Sequence, residues 1–565
     1  MKNFKYFESW NYENMRELVL DIESRHSSKL AFSYKKKPSD KDIIKITYAD
    51  LASDVKCLAS AAVEKGVTKG HTAIIGKLSY GWVCTYLALL SVGAVIVPLD
   101  PDWSAEELAE TVKAAECTSL FCSADIYSSK AEDICKGSDI GFTAVLDGDD
   151  GENTLLNLIA EGKILRGLGD RSFENAVIDP EVVALLVFTS GTTGKGKGVM
   201  LSQKAILSDV HGGKQYLDAH GKIVGVLPPH HTFGTTICLL STFLIGNEMY
   251  ISSGLRYLPR ELKEQKPDYL ILVPLYLETF YRKIMATVLE SGQMKMLKRM
   301  MGVSKNLRKF GVDMRRVFFK NVLEAFGGNI SYVITGGAPI SQEIVDFYEA
   351  VGIMIINGYG ITECAPLITC NPNKWRKRMS VGLPIPCNDV RIKDPDENGE
   401  GEICVKGSNV MLGYYKDPAA TAAAFTEDGY FLTGDYGKFD EDGFLYITGR
   451  LKNIIILSNG KNVYPEEIET VLSDIPGIMD VVVYEGVSRR GTEHNSIVAE
   501  IFADEEYMTK NNIEDPYEYF KKHIETYNRG AVQYKRIGII KVRDTEFPKN
   551  TLRKITRFKL DMSID

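Results

Sequence analysis

The chain has 565 residues, of which 44% are hydrophobic and 25% are charged, and its formal net charge is -8. This length exceeds what one hydrophobic core usually serves, so we expect two or more domains with the composition of an ordinary soluble protein. The acidic balance argues against a nucleic-acid partner, because non-specific binding to phosphates depends on clustered positive charge.

The N-terminal segment and the cysteines both favour a cytoplasmic protein. The segment is interrupted by acidic residues and by Arg16, so it lacks the uncharged stretch that is typical of a signal peptide. Ten cysteines are scattered along the chain without a C-x-x-C pair. This spacing disfavours both a zinc site and a disulfide framework.

The first third of the sequence is typical of an α/β fold. Residues 78–99 carry no charge and are long enough to cross a bilayer about 30 Å thick. Gly93 divides them into a helix-like half and a strand-like half, so we predict a buried helix packed on a buried strand. Helical apolar spacing alternates with β-branched runs from Ile46 to Asp100 and onward to Leu146. This pattern predicts βαβ units and a mostly parallel sheet.

An apolar run from Val182 to Phe188 leads into a loop rich in glycine, hydroxyl and lysine residues. Glycines let successive backbone N–H groups turn toward one anion, while hydroxyls and lysines add donors and positive charge. We therefore predict a strand followed by a phosphate-binding loop. The loop residues are Thr189, Ser190, Gly191, Thr192, Thr193, Gly194, Lys195, Gly196, Lys197 and Gly198.

The same loop approximates the G-x-x-x-x-G-K-[ST] motif of P-loop nucleotide-binding proteins, with Gly191, Gly196 and Lys197 at matching positions. Gly198 stands where that motif needs a hydroxyl for Mg²⁺. The residues that follow, VML, predict a second strand where the motif needs a helix. A P-loop phosphotransferase, which would produce ADP, stays as an alternative.

A strongly basic, helical segment covers residues 281–326 and contains eleven Lys or Arg against three acidic residues. A solvated helix face would explain it equally well. Its functional interpretations are a surface for anionic lipid headgroups or for an acidic carrier protein, because clustered positive charge attracts both partners.

Two further loops would complete a nucleotide site. Gly337, Ala338 and Pro339 follow the predicted strand SYVIT, and such small residues allow a flat base to lie against the backbone. A second predicted strand, MII, ends before a polar loop with a carboxylate, and a carboxylate suits Mg²⁺. The residues of this second loop are Asn357, Gly358, Tyr359, Gly360, Thr362 and Glu363.

The C-terminal third contains two successive sequence patterns, each of which predicts a different kind of structure. Residues 390–415 alternate polar and apolar side chains between glycines, as in a small antiparallel barrel. Between Gly449 and Lys452 this region gives way to a short α+β unit whose helix is expected to begin near Pro465. The predicted domains are 1–449 and 450–565.

The motifs FTSGTTGKGKGVML, YGITE and FPKNTLRKITRFKL resemble those of the adenylate-forming superfamily of acyl-CoA synthetases, peptide-synthetase adenylation domains and luciferases. The resemblance runs from about Thr47 to the end, with the motifs in family order. The basic segment and FGGNISYVITGGAPIS look most like the bacterial long-chain fatty acyl-CoA synthetase branch. Two positions depart from the pattern: Gly196 replaces a proline, and Arg553 replaces a glycine.

The resemblance implies a role for each motif residue. It implies that Tyr359 stacks on adenine, that Thr362 contacts the α-phosphate, and that Glu363 and Thr189 bind Mg²⁺. It also implies that Lys452 is a hinge about which the Gly460 hairpin replaces Lys554 near the substrate. The implied catalytic residues are Lys554, Glu363, Thr362 and His231, the last at the wall of the acyl pocket. The implied ATP- and AMP-binding residues are Thr189, Ser190, Gly191, Thr192, Thr193, Gly194, Lys197, Gly337, Ala338, Pro339, Asn357, Gly358, Tyr359, Gly360, Thr362, Asp435, Arg450 and Lys554.

The fold implied by the resemblance has doubly wound α/β subdomains and a small β-barrel in a large N-terminal domain, followed by a small mobile α+β domain. The implied reaction joins a medium- or long-chain fatty acid to a thiol, with ATP, Mg²⁺ and coenzyme A. A phosphopantetheine thiol on an acyl carrier protein stays open as the acceptor, as does peripheral contact with an anionic membrane. A binding module without turnover is disfavoured, because pure binding does not require Lys554.

Overall fold

A computed structural model describes residues 5–148, 153–189, 196–456, 462–486, 496–549 and 555–564. The strands in chain order are β1 (Leu30–Tyr34), β2 (Ile44–Thr47), β3 (His71–Ile75), β4 (Val95–Leu99), β5 (Cys117–Cys122), β6 (Phe142–Val145), β7 (Val183–Thr189), β8 (Lys197–Ser202), β9 (Lys222–Gly225), β10 (Glu248–Ile251), β11 (Tyr269–Leu272), β12 (Tyr332–Gly336), β13 (Met354–Gly360), β14 (Leu367–Cys370), β15 (Leu383–Pro384), β16 (Asn388–Lys393), β17 (Gly401–Gly407), β18 (Gly413–Tyr414), β19 (Phe431–Phe439), β20 (Leu445–Arg450), β21 (Ile455–Ile456), β22 (Asn462–Val463), β23 (Ile478–Gly486), β24 (Ser496–Ala503) and β25 (Ile539–Arg543).

The α-helices in chain order are α1 (Met15–His26), α2 (Tyr48–Glu64), α3 (Tyr80–Leu90), α4 (Ala105–Ala114), α5 (Ala124–Ser129), α6 (Ala131–Cys135), α7 (Leu155–Gly167), α8 (Ser172–Asn175), α9 (Gln203–Tyr216), α10 (Ser241–Leu244), α11 (Leu258–Gln265), α12 (Pro274–Glu290), α13 (Met294–Lys309), α14 (Arg315–Phe318), α15 (Lys320–Glu324), α16 (Gln342–Val351), α17 (Pro418–Ala423), α18 (Pro465–Leu472), α19 (Glu505–Lys510) and α20 (Pro516–Gly530). A π-helix covers Phe233–Leu240, and 3₁₀ turns cover Thr362–Cys364 and Leu451–Asn453.

The largest sheet has seven strands in the order β18-β8-β7-β4-β3-β5-β6. Its strands from β7 to β6 are parallel, as the alternating pattern predicted, whereas β8 turns back antiparallel to β7. The uncharged stretch forms α3 and β4, and every residue of α3 is buried, which explains the absence of charge. None of the helices in the described ranges is both long and apolar enough to cross a membrane.

Two more sheets complete the N-terminal α/β part. One has the order β2-β1-β10-β9, and the other has the order β11-β12-β13-β14-β15. Helix starts follow local sequence rules: Thr47 accepts a hydrogen bond from the backbone N–H of Asp50, and the Asp50 side chain accepts in return from Thr47. This capping box satisfies two backbone donors that the first turn of α2 would otherwise leave open.

An antiparallel sheet, β16-β17-β19-β20, lies where the sequence predicted a small barrel. The C-terminal unit, defined here as β21–β25 with α18–α20, follows it. Its three-stranded sheet, β23-β24-β25, combines an antiparallel and a parallel pair. Helix α18 begins at Pro465, where proline fits because the first helical residue needs no N–H partner. The predicted α/β architecture is confirmed.

Candidate active site

The predicted phosphate loop lies in the sequence between β7 and β8, which pair antiparallel. Thr189 at the end of β7 is the register partner of Lys197 at the start of β8. The Thr189 hydroxyl donates to the carbonyl of Lys197 at 3.4 Å. Six of the predicted phosphate-loop residues, namely Ser190, Gly191, Thr192, Thr193, Gly194 and Lys195, lie outside the described residues. The strand after the loop contradicts the strand–loop–helix context of a P-loop.

Gly196 directly precedes β8 and lies close to Thr189, the last residue of β7. A Cβ at this position would lie 2.6 Å from the carbonyl oxygen of Thr189. Side-chain carbon atoms do not approach backbone oxygen this closely, so the backbone here accepts only glycine. Gly196, which replaces the proline of the family pattern, therefore fits the backbone of this chain.

Glu363 is tied to the phosphate hairpin through Tyr414, which the sequence analysis missed. The Tyr414 hydroxyl donates to Glu363 Oε1 at 3.0 Å. Tyr414 lies on β18 as the register partner of Val199 in β8, and Lys197 Nζ lies 4.5 Å from the centre of its ring. Burial and the neighbouring Glu363 carboxylate raise the pKa of Tyr414. One carboxylate and one lysine thus meet beside the loop, where a polyphosphate and its cation would need them.

Asp435 is held between two residues that the sequence analysis placed in the nucleotide site. The Tyr359 hydroxyl donates to Asp435 Oδ2 at 2.6 Å, and Arg450 Nε lies 2.8 Å from Asp435 Oδ1. Asp435 and Arg450 are register partners on β19 and β20. The Asp435 side chain is only 4% exposed, whereas that of Arg450 is 57% exposed. A carboxylate has about four acceptor positions, so Asp435 retains capacity for two ribose hydroxyls.

The base-binding edge is formed where β12 and β13 end side by side. Gly336 pairs with Gly358, and the following residues, Gly337, Ala338 and Pro339, are exposed. Gly337 has φ +86°, a backbone conformation that favours glycine. One of these two strands, β13, carries Tyr359, and its contact with adenine stays a prediction.

The prediction that the second loop begins at Asn357 was wrong, because β13 continues through Gly360. Gly358 pairs with Gly336 on one side and with Cys370 of β14 on the other, and this pairing extends the strand. A Cβ at Gly360 would lie 2.0 Å from the carbonyl oxygen of Pro366, so glycine permits the close approach of the two strands. The turn itself is Thr362–Cys364, which contains Thr362 and Glu363.

Asp209, a buried acid on α9, stabilises the Thr362–Cys364 turn and the start of β14 through hydrogen bonds. Asp209 Oδ1 accepts from the backbone N–H of Leu367 and from Asn409 Nδ2, both at 2.9 Å. Asn409 Nδ2 also donates to the carbonyl of Cys364 at 2.9 Å. Burial raises the pKa of Asp209 well above its ordinary value. The sequence carries a signal for Asp209, because this acid stands among the apolar residues that α9 buries.

We expect Asp209→Asn to flatten the pH dependence of stability. The folded-state pKa of Asp209 is raised, so the unfolded chain loses its proton first and stability falls as pH rises above about 4. Relative to the variant, the wild-type free energy of unfolding should fall by up to about 1.4 kcal/mol per pH unit above that point. Thermal melts from about pH 4 to about pH 7 measure the difference. Asp42→Asn, at an exposed site, is the control, and parallel profiles for Asp209→Asn and wild type would contradict the assignment.

His231 lies on the segment between β9 and the π-helix. Its ring centre is 4.4 Å from that of His230. His230 Nε2 lies 3.5 Å from Asp100 Oδ2. Burial lowers the pKa of His230 to about 3, so its imidazole is neutral near pH 7. The wall of the acyl pocket stays a prediction for His231.

Lys452 lies in the 3₁₀ turn Leu451–Asn453, directly after Arg450. Asn453, the last residue of the turn, donates through Nδ2 to Glu466 Oε1 at 2.6 Å, which ties the turn to α18. Gly460 and Lys554 lie outside the described residues. The hinge, hairpin and catalytic-lysine assignments therefore stay predictions.

The model of the AMP-binding enzyme family matches residues 22–415. The chain belongs to this family. Among curated AMP-binding relatives, "Long-chain-fatty-acid--CoA ligase FadD15" of Mycobacterium bovis is 30% identical over 457 residues, covering 78% of this chain and 75% of the relative. The "Long-chain-fatty-acid--[acyl-carrier-protein] ligase AEE15, chloroplastic" of Arabidopsis thaliana is 27% identical, covering 79% of this chain and 71% of that protein.

Solved structures agree on the fold of this AMP-binding enzyme. The crystal structure of ATP-bound MatB from Rhodopseudomonas palustris superposes with a TM-score of 0.73 at 23% identity, covering 96% of this chain and 97% of that one. At this identity the likeness establishes the fold alone. The resemblance to the adenylate-forming superfamily is confirmed.

Proposed function

We propose that this protein is an acid–thiol ligase that activates a medium- or long-chain fatty acid with ATP. The observation that carries the proposal is the convergence of two polar groups. Glu363 and Lys197 meet through Tyr414 at the phosphate hairpin, and Asp435 on β19 is held by Tyr359 and Arg450. The first group suits a triphosphate with its cation, and the second suits a ribose.

The reaction has two steps. A carboxylate oxygen of the fatty acid attacks the α-phosphorus of ATP, and the bond to pyrophosphate breaks, leaving acyl-AMP. The sulfur of a thiol then attacks the acyl carbon, the bond to AMP breaks, and the thiol proton passes to solvent. The names of the two curated relatives support a long-chain fatty acid as the substrate.

The residues beside the hairpin fit Mg²⁺. Glu363 offers a carboxylate oxygen and Thr189 a hydroxyl, both of which are hard oxygen donors. Within the described ranges, no group of three or more His, Cys, Asp or Glu side chains could hold a metal by itself. This fits a cation that takes one protein carboxylate and completes its shell with phosphate oxygens and water. When bound, Mg²⁺ would neutralise charge on the phosphates.

We assign coenzyme A as the thiol and keep the phosphopantetheine of an acyl carrier protein, acting in trans, as the second candidate. The name of the Arabidopsis thaliana relative favours keeping it. The domain division at 449/450 belongs to the same proposal, because the thiol step needs the C-terminal unit to move about Lys452.

Pyrophosphate release with ATP, Mg²⁺ and a panel of acids from acetate to palmitate tests the function. We expect release with medium or long chains, and continued turnover to acyl-CoA and AMP only when coenzyme A is present. Release of one pyrophosphate per enzyme that coenzyme A does not increase would point to a carrier protein. Production of ADP would overturn the ligase proposal in favour of a phosphotransferase.

A further inference from the structure

Helix α13, in the basic segment, carries an unusual concentration of positive charge. Its sixteen residues include six Lys or Arg and no Asp or Glu. It packs on the core through Leu297 and Ser304, which are 8% and 1% exposed. These two residues are seven positions apart, so they define one buried line along the helix, and the cations lie mostly on the remaining surface.

The exposed side of α13 also carries a line of apolar side chains. Met296, Val303 and Phe310 are 53%, 44% and 85% exposed, and they follow one another at intervals of seven residues. Seven residues are nearly two helical turns, so Met296 and Val303 lie along one edge of the helix, and Phe310 directly follows its last residue, Lys309. Exposed apolar residues are ordinary when scattered singly, but an aligned set that includes Phe310 indicates a contact surface.

The exposed cations of α13 are not used for internal ion pairs. The exposed Lys295, Lys298, Arg299, Lys305 and Lys309 form no ion pair within the part of the chain that the structure describes. Arg315 contrasts with them, because it pairs with Asp313 at 2.6 Å. The α13 cations therefore keep their charge available to an external anionic partner.

We propose that this surface, defined as Met296, Val303 and Phe310 with the five exposed cations, docks on an anionic lipid bilayer. A helix with apolar side chains beside Lys and Arg lies in the interface, with the apolar edge among the acyl chains and the cations at the headgroups. An acidic carrier protein would account for the cations but not for the exposed Phe310. The structure thus favours the lipid surface over the protein partner.

Acidic residues near one end of this surface indicate which neighbouring part of the protein faces water rather than the bilayer. At the N-terminal end of α13, Glu290 pairs with Lys510 at 2.8 Å, and Glu505 and Glu506 line the same groove. These acids would be repelled by anionic lipid, so this groove faces water. Because long-chain fatty acids partition into bilayers, docking would bring the protein to its substrate. That consequence rests on the proposed function, whereas the docking itself does not.

Co-sedimentation of the full-length protein with vesicles tests the docking. We expect binding to phosphatidylcholine vesicles that contain phosphatidylglycerol, little binding to pure phosphatidylcholine, and weaker binding as salt rises. Phe310→Ser should weaken partitioning on the order of tenfold, since it removes a buried aromatic ring from the membrane. Lys295→Glu with Arg299→Glu should weaken it tenfold or more, on the order expected for reversing two surface charges.

Matched controls separate docking from general effects. Leu168→Ser removes an apolar side chain that is 82% exposed elsewhere, and Lys41→Glu with Lys113→Glu reverses two exposed charges elsewhere. Both controls should bind vesicles as wild type does. Wild-type protein that stays in the supernatant at low salt would overturn the docking. So would loss of acyl-carrier-protein binding, without loss of vesicle binding, in the charge-reversed variant. Full ligase activity of the Phe310→Ser variant in detergent shows that it is folded.

Discussion

Replacing Lys554 with alanine is expected to slow the formation of acyl-adenylate on the order of 10²–10³-fold. The first step brings an anionic carboxylate to an anionic triphosphate, and a positioned ammonium group offsets both the repulsion and the charge that develops in the transition state. Removing it leaves substrate binding to the hairpin and to Asp435 in place. The loss should therefore appear in the rate of adenylation rather than in ATP affinity.

The described residues that flank Lys554 show where the two ends of its segment are held. Lys549 and Ile555 form an antiparallel bridge on either side of the segment that contains Lys554. Lys549 Nζ also lies 2.7 Å from Asp480 Oδ2. The neighbouring Met479 carbonyl accepts from Arg282 of α12 at 3.1 Å. The base of the loop thus lies where the C-terminal unit touches the N-terminal α/β part.

Two measurements isolate the role of Lys554. Acid-dependent exchange of labelled pyrophosphate into ATP reports the adenylation step alone, and supplied acyl-adenylate reports the thiol step alone. The variant should fail in the first assay and approach the wild-type rate in the second. Lys522→Ala, at an exposed position of α20, is the matched control. Normal exchange in the Lys554 variant would remove this residue from the mechanism.

The order of elements could be predicted because it depends on local patterns. The division of the uncharged stretch at Gly93 into α3 and β4 follows from periodicity over a few residues. The strand before the phosphate loop was predicted to within one residue, as Val182–Phe188 against the observed Val183–Thr189. The end of β13 was missed, because pairing with β12 and β14 extends it and no local signal encodes that pairing.

The same distinction between local patterns and distant contacts applies to the residues of the site. Asp435 and Arg450 came from the family resemblance, and their pairing across β19 and β20 agrees with it. Tyr414 is 51 residues from Glu363, and Asp209 is 200 residues from Asn409. Such contacts form only when separate sheets pack together, so no pattern in a single segment could have identified them.

The segment between the nucleotide site and the C-terminal unit is short enough to concentrate rotation at Lys452. On one side, Arg450 is bound to Asp435 at 2.8 Å. On the other, Asn453 is bound to Glu466 of α18 at 2.6 Å. Only Leu451 and Lys452 lie between these anchors, so a large movement of the C-terminal unit requires their backbone angles to change.

Lys452→Pro is therefore expected to slow thioester formation on the order of tenfold or more while sparing adenylation. Proline fixes φ near −65°, which restricts rotation at this residue. Adenylation precedes this rotation in the proposed reaction, so it should be spared. Lys452→Ala, which leaves the backbone free to rotate, should keep both rates near wild type and is the control.

The two half-reactions are measured separately with pyrophosphate exchange and with supplied acyl-adenylate. Equal loss of both rates in the proline variant would show that Lys452 acts through stability or substrate binding rather than as a hinge.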